Sequence, residues 1–142
     1  MKLVRQLIDS KGHDVLSIAP DASVLDAIKL MAQKSIGALA VMDGSTLAGI
    51  VTERDYARKV ILKGRNSDTT FVSEIMTTGV VTTSSDETVQ KCMNMMTDMK
   101  IRHLPVVDDD AVVGMISIGD LVKAVIADQQ EEIQQLEHYI SG

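Results

Sequence analysis

Two seven-residue stretches hold the side chains best suited to chemistry, Gly49-Ile-Val-Thr52-Glu-Arg-Asp55 and Gly114-Met-Ile-Ser117-Ile-Gly-Asp120. In each, an apolar run ends at a hydroxyl residue and a carboxylate follows three positions later. If the run is a strand and the next residues open a helix, these groups have two uses. Ser/Thr-x-x-Asp approximates a capping box, whose side chains satisfy the first free N–H groups of the helix. The same place favours anions, because unpaired N–H groups and the helix dipole point outward there. A carboxylate at that mouth can accept hydrogen bonds from both hydroxyls of a ribose, and the hydroxyl at 52 or 117 can donate to a phosphate. Gly49 and Gly114 remove side-chain bulk from the approach. The combination suits a nucleoside phosphate. A duplicated cap would recur as readily as a duplicated site, so spacing leaves both readings open.

The two stretches belong to a longer repeat. Val15 to Ile61 and Val80 to Ile126 align without a gap at an offset of 65 residues, with identities such as Val24/Val89, Met31/Met96, Leu39/Leu104 and Val41/Val106. In the first copy, Val15 to Ile18 reads as a short strand stopped by Ala19-Pro20. Asp21 and Ser23 offer N-caps, and Val24, Ala27, Ile28 and Met31 form one helical face. Ile36 to Met42 reads as a buried strand, Asp43-Gly-Ser45 as a turn, and Leu47 to Val51 as the hairpin partner. A second helix runs from Thr52 through Ile61. In the second copy Val89, Cys92, Met93 and Met96 form the helix face, Ile101 to Val107 and Val112 to Ile116 the hairpin, and helix resumes near Gly119.

The expected fold is therefore α+β, with two pseudo-symmetric β-α-β-β-α halves. Two copies are too few for a solenoid, so any pocket should come in near-duplicate. Gly64 to Thr70 is the polar linker. Val72-Ser-Glu-Ile-Met76 resembles Val4-Arg-Gln-Leu-Ile8, which extends the repeat upstream. The expected division is 1–65 for the first repeat with an N-terminal helix and the start of the linker, 66–127 for the second repeat, and 128–142 for a helical tail. In that tail Ile133, Leu136 and Ile140 recur at helical spacing, for packing on the domain or a partner subunit. The methionines at 76, 93, 95, 96 and 99 read as core and interface filler.

Composition narrows the function. The 142 residues are 45% apolar but only 2% aromatic, so the core is aliphatic. Twenty acidic against fourteen basic residues, net −6, argue against non-specific nucleic-acid binding. Cys92 is the only cysteine, which permits no internal disulfide and fits a reducing compartment. No apolar stretch approaches a signal peptide or a membrane span, so the protein is expected to be soluble and cytoplasmic, without membrane partners. His13, His103 and His138 lack zinc-ligand spacing, and phosphate-loop, dinucleotide and nucleophile-elbow signatures are absent. Neither catalytic nor metal-ligating residues are expected.

The paired Gly-φ-φ-Ser/Thr-x-x-Asp motifs (φ apolar), Val72-Ser-Glu-Ile-Met-Thr77 and Ile101-Arg-His-Leu-Pro-Val-Val-Asp108 together resemble the CBS-domain family, as a tandem pair or Bateman module. Thr-Glu-Arg-Asp-Tyr-Ala-Arg58 and Ser117-Ile-Gly-Asp-Leu-Val-Lys123 are especially similar to small stand-alone bacterial CBS-pair proteins. The resemblance implies two clefts between the halves for adenosine-containing ligands such as AMP, ADP, ATP, NAD or S-adenosylmethionine, sensed without catalysis. It implies a ribose on each of Asp55 and Asp120, with Thr52 and Ser117 bonding phosphate or ribose. Ser17-Ile18 and Thr82-Thr83 would line the adenine pockets with main-chain groups. It also implies a homodimer joined through helices into a flat disc.

The copies differ: Arg102-His103 stands where the first copy has Gly37-Ala38, and Arg54 where the second has Gly119. In the family the Arg/His position of one repeat tends to face the nucleotide held by the other's aspartate. The Asp55 cleft is thus expected to hold phosphate better, with Arg102, His103 and Arg54 as cationic partners. The Asp120 cleft, facing Gly37-Ala38, is expected to be roomier, poorer in charge and weaker. The competing expectation is a structural or interaction protein, in which both motifs are caps and a partner enzyme docks on the disc faces or the acidic tail.

Overall fold

The computed structural model describes residues 2–141. Met1 and Gly142, at the ends of the first and last expected segments, lie outside the described residues. The elements run α1 (Val4–Lys11), β1 (Ser17–Ile18), α2 (Val24–Lys34), β2 (Ala38–Asp43), β3 (Thr46–Thr52), α3 (Glu53–Tyr56) with a π turn (Ala57–Ile61), α4 (Val72–Ile75), α5 (Val89–Met99), β4 (His103–Asp108), β5 (Ala111–Ser117) and α6 (Ile118–Ser141). The strand–helix–hairpin–helix order follows the apolar periodicities. Two compact units form: residues 15–81, and the residues before Val15 together with those from Thr82 onward.

This partition cuts the chain differently from the division at 65/66. The N-terminal helix joins the unit of the second repeat, and α4 joins that of the first. The reason is apolar burial. Val4, Leu7 and Ile8 of α1 are 0%, 7% and 2% exposed. Val4 and Arg5 N–H donate to the carbonyls of Glu87 and Ser85, and Val89 N–H donates to that of Lys2. In the other unit, Val72 and Ile75 of α4 lie in one core with Val24, Met31, Leu39, Val41, Val51 and Val60.

Within the 15–81 unit, β1 pairs parallel with β2, which forms an antiparallel hairpin with β3. In the other unit β4 and β5 form the equivalent hairpin. The register slips at the same place in both, between Val41/Met42 and between Val106/Val107. The ends of the preceding helices match as well. Ser23 and Thr88 cap α2 and α5 by accepting the N–H of Asp26 and Lys91 at 3.1 Å, and Ser35 and Lys100 close them in the left-handed conformation.

Three expectations change. The strand expected before α5 shrinks to a single bridge, Thr83 with Val106. The helix after β3 ends in the π turn, where Leu62 N–H donates to the Ala57 carbonyl. The tail is a continuation of α6, because no glycine or proline between Asp120 and Ser141 breaks the helix. Its distal side chains Ile133, Leu136 and Ile140 are exposed within the chain. Cys92 is fully buried against the Thr83 hydroxyl at 3.3 Å, and burial pushes its thiol up, which fits core packing.

Candidate functional site

In each unit the second hairpin strand delivers the hydroxyl residue to the mouth of the next helix. Thr52 ends β3 and caps α3: its Oγ1 accepts the Asp55 N–H at 3.1 Å, and Asp55 Oδ2 accepts both the N–H and the hydroxyl of Thr52 at 3.1 Å. Ser117 and Asp120 repeat this, at 3.2 Å for Asp120 N–H to Ser117 Oγ and 2.8 Å for Ser117 N–H to Asp120 Oδ2. The caps expected from spacing are thus formed. They do not use up the carboxylates, since each oxygen has two lone pairs.

A lysine holds each carboxylate, and the two come from unrelated places. Lys59, one turn along from Asp55, lies 3.1 Å from its Oδ1 and donates to the Ile75 carbonyl at 2.9 Å. Lys11, on α1, donates to Asp120 Oδ2 and to the Met115 carbonyl, both at 2.6 Å. Sequence reasoning missed both. An i, i+4 acid–base spacing was available for Lys59, whereas nothing local connects Lys11 with Asp120. Asp120 Oδ1 accepts no hydrogen bond from the described residues. Burial pushes the Asp120 carboxyl up, but Lys11 and the Ser117 N–H outweigh it and hold it below the usual carboxylate range.

Arg102 and His103 lie beside Ser117 and Asp120 in their own unit. His103 pairs across the hairpin with Ser117, and the Arg102 carbonyl accepts the Ile118 N–H at 2.9 Å. Ala38 and Gly37 occupy the matching places, opposite Thr52 and accepting the Glu53 N–H at 3.1 Å. Arg102 and Arg54 are exposed. Besides Lys11, Lys2 and Lys123 line a cavity of about 340 Å3 that includes Asp120, between residues of α1 and α6.

Two further expectations meet different geometry. A Cβ on Gly49 would stand 2.7 Å from the Thr77 carbonyl oxygen and 2.9 Å from the Met76 sulfur, and one on Gly114 would stand 2.8 Å from Ile8 Cδ1. Each glycine therefore makes room for the segment that precedes the other repeat in the chain. Thr83 is 8% exposed, and its N–H and carbonyl are taken by Pro105 and Val107, which leaves Thr82 as the exposed member of that pair. Ser17 is exposed and Ile18 half-buried on β1. Among the described residues no His, Cys, Asp or Glu group could hold a metal ion, and no helix is long and apolar enough to cross a membrane.

His103 makes the unit pH-sensitive. Burial first, then Lys11 and Arg102, push its imidazole below the ordinary value, and Asp120 offsets this only in part. The unfolded chain then binds the proton more readily, so this contribution is complete above about pH 6.5 and declines as the pH falls towards the folded value. Asp120 has the same sign at lower pH: its contribution is present above about 3.9 and is lost as the pH falls through the folded value. Unfolding free energies from urea titrations should decline in two steps on acidification, and His103→Gln should remove the first. A first step that persists unchanged in that variant rejects the assignment.

The chain matches the CBS domain family over residues 4–62 and 72–127. It is 43% identical over 148 residues to the CBS domain-containing protein CBSX3, mitochondrial, of Arabidopsis thaliana, covering 98% of this chain and 72% of that protein. It is similar to the solved structure of a protein with CBS domains from Burkholderia ambifaria MC40-6, at 50% identity and TM-score 0.87, covering 90% of this chain and 96% of that one. The CBS domain pair of protein MJ0100, crystallised in complex with 5-methylthioadenosine and S-adenosyl-L-methionine, is 26% identical with TM-score 0.80, covering 90% and 98%.

Proposed function

Because the chain belongs to the CBS domain family, as a tandem pair in an α+β fold, we propose that it is a non-catalytic regulatory module in the cytoplasm that binds an adenosine-containing ligand (AMP, ADP, ATP or NAD) and so reports energy or cofactor state. The observation that carries this reading is Asp120: a half-buried carboxylate, held ionised, with one oxygen unbonded by the described residues, at the edge of a cavity. An ionised carboxylate so placed can accept both hydroxyls of a ribose. The methylthioadenosine and S-adenosylmethionine bound by the MJ0100 domain pair support an adenosyl ligand here.

In this reading Asp55 and Thr52 act as Asp120 and Ser117 do. Ser17, Ile18 and the exposed Thr82 border the adenine positions, and Gly37, Ala38, Arg54, Arg102 and His103 flank the motifs. The chain also forms a homodimer, for which the exposed Ile126, Ile133, Leu136 and Ile140 of α6 supply apolar surface. The same exposed residues, with both caps fully formed, favour the second reading, an interaction protein that binds a partner enzyme and no nucleotide.

Melting temperature measured against AMP, ATP, NAD and S-adenosylmethionine separates the two. A ligand at 100 times its Kd stabilises by about 2.7 kcal/mol if it binds only the folded state, worth several degrees at roughly 2–4 °C per kcal/mol. Asp55→Ala and Asp120→Ala together should abolish the shift. No shift with any ligand, or a shift that survives both substitutions, defeats the nucleotide reading.

A further inference from the structure

The cavity between α1 and α6 collects positive charge on a chain whose net charge is −6. Lys2, Lys11 and Lys123 line it, with Gln6 and Ser10 as further polar groups and Asp120 as its one carboxylate. Leu7, Ala124 and Ala127 are its apolar lining, and its volume is about 340 Å3. That lies within the range of small-molecule sites.

The lysines are fixed to different degrees. Lys11 is tied down by Asp120 and the Met115 carbonyl. Lys2 is anchored through its main chain by Val89 N–H, and its ammonium lies 3.8 Å from Asp128, a loose pairing. Lys123 is exposed and makes no ion pair among the described residues. Three lysines against Asp120 and the loosely paired Asp128 leave a local surplus of positive charge, which an anion placed among them relieves. Ammonium groups recognise phosphate as point charges and need no planar geometry, so a flexible phosphate chain suits them better than a fixed carboxylate.

We propose that this cavity is a phosphate-chain subsite continuous with Asp120, so that the second motif, rather than the first, discriminates polyphosphorylated ligands from uncharged ones. The assignment of a nucleotide to it rests on the adenosine reading above. The subsite itself rests on the cavity and its lysines.

The test is calorimetric titration of the full chain carrying Asp55→Ala, which leaves the second motif as the assigned site, with adenosine, AMP, ATP and inorganic tripolyphosphate. Affinity should rise from adenosine to ATP by about ten-fold or more, and the gain should weaken with salt. Lys2→Gln with Lys123→Gln, both at positions whose side chains reach solvent, should cost ATP about ten-fold more than they cost adenosine. Their melting temperatures, measured without ligand, should match the parent within about two degrees if the effect is local. Equal affinity for adenosine and ATP, or lysine variants that keep the ATP preference, overturns the subsite and leaves the adenosine reading standing. Lysine-dependent binding of tripolyphosphate without any binding of adenosine does the reverse. Binding of none of the four overturns both.

Discussion

A chain shortened to begin at Val15 is expected to lose the cooperative fold of residues 82–127. Removing α1 strips Val4, Leu7 and Ile8 from that core, all 7% exposed or less. At about 1.5–3 kcal/mol for each buried side chain, the loss is roughly 5–9 kcal/mol. Whole domains are stable by only about 5–15 kcal/mol, and this unit is a fraction of one. The truncation also removes Lys11, leaving Asp120 as a part-buried carboxylate without its cation. Hydrogen exchange should report loss of protection in β4 and β5. Deleting residues 134–141 is the control, because the apolar side chains there are 62–84% exposed and their loss should cost little within one chain. If the shortened chain keeps native protection in β4 and β5, the contribution assigned to α1 is wrong.

The two motif glycines should respond unequally to alanine. At Gly49 the new methyl would meet the Thr77 carbonyl oxygen at 2.7 Å, a backbone atom pinned by the Ile50 N–H at 3.0 Å. Relief requires moving a strand pairing, and overpacking of that kind costs about 1–3 kcal/mol. At Gly114 the nearest atom is Ile8 Cδ1, the tip of a flexible side chain that can change rotamer. Part of that smaller cost is offset because alanine loses less backbone entropy on folding than glycine. Urea midpoints should therefore place Gly49→Ala well below the parent and Gly114→Ala within about 1 kcal/mol of it. Equal losses, or a larger loss at Gly114, would reject the packing account and return these glycines to a role in ligand approach.

Most of the local architecture was legible in the residues. The hairpins followed from apolar runs broken at Asp43-Gly44-Ser45 and Asp108-Asp-Asp110, and the helices from i, i+3, i+4 faces, the first of them capped by Ser23. The Thr52/Asp55 and Ser117/Asp120 caps formed as their spacing required. These features depend on groups within about four residues of one another, the reach of caps and helical faces. The first strand of the second repeat was less legible. Its expected extent needed more backbone pairing than the single Thr83–Val106 bridge gives it.

The sequence by itself determined two copies of one strand–helix–hairpin–helix unit, the family they belong to, and the two hydroxyl–carboxylate caps, because periodicity and capping are local. Only the tertiary structure decided that α1 packs with the second repeat, that Gly49 and Gly114 each admit the segment preceding the other repeat, and that Lys11 sits on Asp120 from 109 residues away. Those outcomes were settled by which apolar face buries against which hairpin. Side chains distant in the chain meet only once that burial has been chosen.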